Sequence, residues 1–321
     1  MRLISAAEIP ALLPMEAAIT LMREAFCLIS DGQVSVAERQ AVELPNGTGL
    51  LMGAGLESKG IAAKLVSVMP GNMQLGLPGS IGLVLLMDAQ DGSPLALMDG
   101  TCLTAIRTAA LNAVAIDLLA NQSAKTALIV GTGTQARAQL QALCMVRDLT
   151  DIRVMGRRES ASETFVESMQ GLVGPHLSVS MDSATACSSV DIIIAATNSS
   201  EPVIPGYLIP DGCHVSGIGS FKRGMCEFDH EFLSKSSIFV EHRETAIIEA
   251  GELISATEAG IIKIHHWTEI GEVLGNQRPG RTSETEITFF KSVGHAVFDL
   301  VAARAIWDAA IEQDIGQEWH P

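Results

Sequence analysis

From Lys125 onward, short apolar runs alternate with segments of helical pattern: TALIV, DIRVM, LSVSM, DIIIAAT, CHVSGIG and SIFVE. These runs are apolar along their length, not at every second position, so they describe strands buried on both faces. Such strands belong to parallel sheets, because a parallel connection must cross over and the crossover is usually a helix packed on the sheet. The expected class is therefore α/β, with a Rossmann-type doubly wound parallel sheet over residues 123–294.

The first run passes directly into GTGTQARAQLQAL. Gly131-x-Gly133-x-x-Ala136 has the spacing of a dinucleotide cradle. The first glycine permits a tight turn, the second lets backbone approach a pyrophosphate, and the alanine lets helix and strand pack closely. Aligned N–H groups at the helix start then face the anion. The second run leads into GRRES. A carboxylate there would bond the adenosine ribose hydroxyls and repel a 2′-phosphate. Arg157 and Arg158 stand there instead, and guanidinium groups fork onto phosphate, so NADP is the expected cofactor, with NAD possible.

Residues 1–122 read as a mixed α+β domain. SAAE (Ser5 to Glu8) has capping-box spacing, and Pro14 precedes a second helix, MEAAITLMREAFCLI. Strand-like runs punctuated by NG, GN and DG then suggest an antiparallel, curved sheet, followed by an Ala- and Leu-rich helix over GTCLTAIRTAALNAVAIDLLANQ. After EITFFKSVG, the last helix carries a broad apolar face of Val297, Phe298, Val301, Ala302, Ala305 and Ala309.

The formal net charge of −16 disfavours nucleic acid and anionic lipid as partners. No uninterrupted apolar run approaches the ~18 residues of a membrane span, and MRLISAAEIP lacks the pattern of a secretory leader. Six cysteines without CxxC spacing suit reduced thiols in the cytoplasm. His265-His266, without neighbouring cysteines or carboxylates at ligand spacing, reads as a solvated loop, so no metal is expected. Against this acidic background the basic residues of the first half are sparse. Lys64 sits among Ala, Leu and Val, and Arg107 in an otherwise apolar helix; with Arg39 they suggest a site for a carboxylate.

KLVSVMPGN, then GLPGSIGLVLLMDAQDGSPLALMDGTCLTAIRTAALNAVA, then GTGTQARAQ resemble the ornithine cyclodeaminase/mu-crystallin family over essentially the whole chain. The resemblance implies a Rossmann domain and a second domain for substrate binding and dimerisation, completed by the C-terminal helix (295–321). It implies an amino- or imino-acid substrate whose carboxylate is held by Arg39, Lys64 and Arg107, with Lys64 also assisting catalysis. Thr108, Thr134, Gln135, Thr197 and Gly219 complete the expected cofactor-binding set. A homodimer is expected.

One departure narrows the chemistry. Family cyclodeaminases and alanine dehydrogenases carry an aspartate in a GxDxPGKxEL-like segment; the matching stretch here, SGIGSFKRGMCEFD, has Phe221 at that position. Phenylalanine neither anchors an ammonium nor moves a proton. The GSF form resembles the ketimine reductases of the family, such as Δ1-pyrroline-2-carboxylate reductases. The expected reaction is reduction of a small cyclic 2-imino acid to the L-amino acid with NAD(P)H. The alternatives are an ornithine cyclodeaminase or amino-acid dehydrogenase, and a non-catalytic NADP-dependent binding protein.

Overall fold

In the computed structural model, which describes residues 1–320, the chain divides after Arg107 and again after Gly294. The first unit, Met1–Arg107 with His295–Pro321, opens with β1 (Arg2–Ile4), α1 (Ile9–Leu12) and α2 (Met15–Ser30). Five strands follow as an antiparallel meander: β2 (Ser35–Leu44), β3 (Gly47–Leu56), β4 (Gly60–Val68), β5 (Ser80–Met87) and β6 (Pro94–Asp99). The NG and DG turns fall where the sequence marks them. The Ser5–Glu8 pair forms only half of a capping box. Glu8 reaches back to the Ser5 N–H at 2.7 Å, but the Ser5 hydroxyl donates to that same carboxylate, and α1 starts a turn later.

Helix α3 (Gly100–Leu119) begins in the first unit and ends in the second, so the division falls inside it, whereas the sequence reading sets it at 122. Its length and composition would suffice to cross a membrane, yet 72% of its most apolar window is buried within the protein.

The second unit, Thr108–Gly294, contains β7 (Thr126–Val130), α4 (Thr134–Val146), β8 (Asp151–Met155), α5 (Glu159–Met169), β9 (His176–Val179), α6 (Ser183–Cys187), β10 (Ile192–Ala195) and β11 (His214–Gly217). It continues through α7 (His230–Lys235), β12 (Ser236–Val240), α8 (Arg243–Glu249), α9 (Gly251–Glu258), β13 (Thr268–Glu269), α10 (Ile270–Leu274) and β14 (Ile287–Lys291). The eight strands run parallel in the order β13-β12-β14-β11-β10-β7-β8-β9. From β7 the chain builds outward through β8 and β9, then returns to place β10 on the other side of β7. That reversal is the topological switch point, where open α/β sheets bind ligands at the carboxyl ends of the strands. Strand β14, ITFFK, is central and buried at every position; the sequence reading treats it only as a lead-in to the last helix.

That helix, α11 (Ala296–Glu312), returns to the first unit and packs on β3, β4 and β5, before β15 (Gln317–Glu318) pairs antiparallel with β1. Val297, Phe298, Val301 and Ala302 are buried as expected, and Phe298 meets Phe26 edge-on at 5.0 Å. Beyond them the buried stripe follows Ile306 and Ala310, not Ala305 and Ala309. The helix is so apolar that neighbouring rows could each serve as its inner face.

Candidate functional site

In the first unit the pleat of β4 sends Gly60, Ala62 and Lys64 to the covered side of the sheet. Lys64 is thereby buried by its position in the alternation. Its Nζ lies 3.1 Å from Asp299 Oδ1, in the first turn of α11, and Arg107 Nε donates to the same oxygen at 3.1 Å. All three side chains are at most 4% exposed. Arg39, half-buried at a bulge of β2, lies near enough for its charge to act on Lys64. Burial, followed by the charges of Arg107 and Arg39, lowers the Lys64 ammonium to about 8 against the pull of Asp299. Burial alone would raise Asp299, but Arg107 and Lys64 outweigh it and hold the carboxyl below its ordinary range.

Two buried cations, Lys64 and Arg107, therefore share one carboxylate, with Arg39 nearby. Asp299 occupies the Nε edge of Arg107, leaving both Nη groups for a second carboxylate, and its own Oδ2 is buried without a partner among the described residues. A buried surplus of positive charge is costly unless an anion arrives to match it. The geometry fits a carboxylate-bearing ligand.

In the second unit the cradle lies at the switch point. Gly131 follows β7 at φ 113°, and a Cβ there would meet the Ala196 carbonyl oxygen just beyond β10. Only glycine suits both demands. Gly133 caps α4, is exposed, and has open space where a side chain would be. Thr134 and Gln135 form the first helical positions, and Ala136 is fully buried against the sheet. Unfilled space before a helix start, with N–H groups aimed into it, fits a pyrophosphate. Arg157 and Arg158 follow β8 and are exposed. Thr108 is buried in α3, its carbonyl accepting from Gln139 Nε2 at 3.3 Å.

Thr197 and Gly219 follow adjacent parallel strands, β10 and β11, and the two loops touch so closely that a Cβ on Gly219 would overlap the Thr197 backbone. Behind them stand charges that the sequence reading missed. Glu227 Oε1 accepts from the Thr197 N–H and hydroxyl, both at 2.8 Å, and Oε2 from the N–H groups of Gly219 and Ser220 at 2.9 and 3.1 Å. Lys291 pairs with Glu252 at 3.1 Å, and both meet the Ser220 hydroxyl. Phe221 is half-buried and packs on the hydrophobic core of this unit, and Asp229 caps α7.

The structure thus gathers Lys64 and Arg107, with Arg39 nearby, in one unit. The cradle residues and the Thr197–Gly219 pair lie in the other. Asp299, Glu227, Glu252 and Lys291 are the charged residues missed. Asp299 in HAVFDLVAA and Lys291 in ITFFK are charges in apolar runs, the signal that singles out Lys64.

The ornithine cyclodeaminase/mu-crystallin family profile matches residues 2–314. The Δ1-pyrroline-2-carboxylate reductase of Bacillus cereus is 38% identical over 268 residues, covering 82% of this chain and 81% of that protein. The structure of Thermococcus litoralis Δ1-pyrroline-2-carboxylate reductase in complex with NADH and L-proline superposes with a TM-score of 0.96 at 35% identity, covering 99% of this chain and all of that one. An archaeal alanine dehydrogenase dimer with bound NAD follows at a TM-score of 0.92 and 32% identity, covering 99% of this chain and 98% of that one. A chain whose residues 2–314 match the family profile, and which is 38% identical over 82% of its length to a Δ1-pyrroline-2-carboxylate reductase, belongs to the ornithine cyclodeaminase/mu-crystallin family.

Proposed function

We propose that this protein is a nicotinamide-dependent reductase of small cyclic 2-imino acids, producing the L-amino acid from a ketimine such as Δ1-pyrroline-2-carboxylate or its six-membered homologue. The observation that carries this reading is the buried pair of cations, Lys64 and Arg107, on the single carboxylate of Asp299. The similarity to reductases of that named activity supports it. Gly131–Ala136 would hold the pyrophosphate of NAD(P)H, whose chemistry would be hydride donation to the imine carbon. Arg107 forks onto the substrate carboxylate through its Nη groups, Arg39 adds a second positive charge, and Asp299 fixes Arg107 and Lys64 against rotation. Lys64, an ammonium that burial makes acidic, delivers the proton that the imine nitrogen retains in the product. A protonated imine is already electrophilic, so positioning and exclusion of water carry most of the remaining work.

Phe221 offers no carboxylate to anchor a free amine, which separates this reading from a cyclodeaminase. The exposed arginines after β8 favour NADP over NAD. The six free thiols suit the cytoplasm. A homodimer is supported by the outer face of the first unit's sheet, where Leu51, Leu65 and Leu83 form a cross-strand row, 44–54% exposed. The decisive assay measures NADPH oxidation with the two cyclic imines against ammonia release from ornithine. General acid–base assistance is worth about 10²–10⁴-fold, so ornithine deamination is expected to vanish beside imine reduction. Comparable rates would restore the cyclodeaminase.

A further inference from the structure

We infer that Glu227 is a positioning residue: its carboxylate clamps the loops after β10 and β11 into the conformation that receives the nicotinamide end of the cofactor. The inference rests on the functional reading above. One side chain satisfies four donors from two loops: the Thr197 N–H and hydroxyl on one side, the Gly219 and Ser220 N–H groups on the other. Both loops leave adjacent strands at the carboxyl edge of the sheet, beside the Gly131 turn, whose space is bounded by Ala196. Thr197 and Gly219 also belong to the set that the family resemblance assigns to the cofactor. Nothing else among the described residues joins them with a side chain.

An ionised carboxylate has only acceptors, and all four contacts here are donors. Protonation converts part of that acceptor capacity into a donor and turns it against an N–H. The groups facing Glu227 are Lys291 on β14, Glu252 on α9 and the neighbouring thiol of Cys226. Burial, reinforced by Glu252 and opposed by Lys291 and the Thr197 bonds, raises Glu227 to about 7. The clamp therefore loosens within the range where the protein can be assayed.

The experiment is a direct titration of NADH binding to the full-length protein, read by nucleotide fluorescence without substrate, between pH 6 and 8. NADH is the probe because it has no 2′-phosphate titrating in that range. If the ionised clamp is the binding-competent form, affinity falls by up to about tenfold from pH 8 to pH 6. Glu227→Gln places an NH2 against an N–H, so it is expected to bind NADH about tenfold or more weakly at pH 8 and to lose the pH dependence. Stability separates positioning from mere support. With its folded value raised above the unfolded one, Glu227 stabilises the fold below about pH 4.5 and loses that contribution as pH rises through about 7. Wild-type stability relative to Glu227→Gln should thus fall with rising pH while NADH affinity rises. Flat wild-type affinity from pH 6 to 8, which needs no variant, overturns the inference, as does native affinity in a folded Glu227→Gln. Absence of NADH and NADPH binding in the wild type overturns the functional reading and this inference with it.

Discussion

Each unit buries a charged cluster, and the two are opposite in sign. In the first, Lys64 and Arg107 outnumber Asp299; in the second, Glu227 and Glu252 outnumber Lys291. The difference lies in what completes each. Four protein donors surround Glu227, so its charge is answered within the fold. The Nη groups of Arg107 find no such partners among the described residues, so that surplus awaits an external anion. A satisfied buried charge organises structure, whereas an unsatisfied one marks a binding site.

The largest test of this contrast removes the minority charge from each cluster. Asp299→Asn leaves Lys64 and Arg107 without their anion, a loss of about 3–5 kcal/mol in unfolding free energy. L-proline should restore the melting temperature of this variant more than it raises that of the wild type, because its carboxylate replaces the missing one. Lys291→Met strands two carboxylates instead. Glu227, which burial already raises to about 7, can take up a proton, so the loss should be smaller at pH 6 than at pH 8, and L-proline should not repair it. Equal rescue of both variants would remove the distinction between the clusters.

Next in size is Arg107→Ala. Truncating one partner of a desolvated charge pair costs about 2–5 kcal/mol, and here the loss should appear in kcat/KM for imine reduction. NADPH affinity should stay near native, since the cradle belongs to the other unit. Equal loss of nucleotide binding in a folded protein would make the arginine structural.

The cofactor preference is a smaller effect. Arg157 is exposed beside the strand end where a ribose-binding carboxylate is missing. Arg157→Ala should lower kcat/KM for NADPH relative to NADH by a charge-assisted contact, about 1.5–3 kcal/mol or on the order of tenfold to a hundredfold. A native preference for NADH overturns the reading of the two arginines.

What sequence reveals differs between the clusters for a physical reason. Continuous apolar runs and glycine spacing describe local backbone, so the parallel strands and the cradle are legible in them. Lys64 and Arg107 stand out because charge is expensive in apolar surroundings. Asp299 obeys the same rule, but its helix could be read as a uniform apolar face, and its partners lie more than 190 residues away. Glu227 sits among FKRGMCEFD, where a glutamate looks like ordinary surface. Its burial follows from the contact between the loops after β10 and β11, and strand order is not written in any local pattern. The central position of β14 escapes for the same reason.

The smallest effect is the pH dependence of Lys64. Its folded value lies near 8 and its unfolded value at 10.5, because burial and the neighbouring arginines outweigh Asp299. For a lysine depressed in this way the folded state binds fewer protons between those values, so its contribution to stability improves as pH rises from 8 to 10.5. Catalysis runs the opposite way. The ammonium both faces the substrate carboxylate and supplies the proton, so kcat/KM should fall by about tenfold for each pH unit above roughly 8. A bound carboxylate favours the charged form, which moves the corresponding fall in kcat to higher pH. Lys64→Arg keeps the charge and does not titrate in this range. Any residual activity of that variant should show a flatter alkaline limb than the wild type, with the substrate's own ionisation common to both. An unchanged limb would assign the ionisation to the imine and leave Lys64 as a carboxylate anchor only.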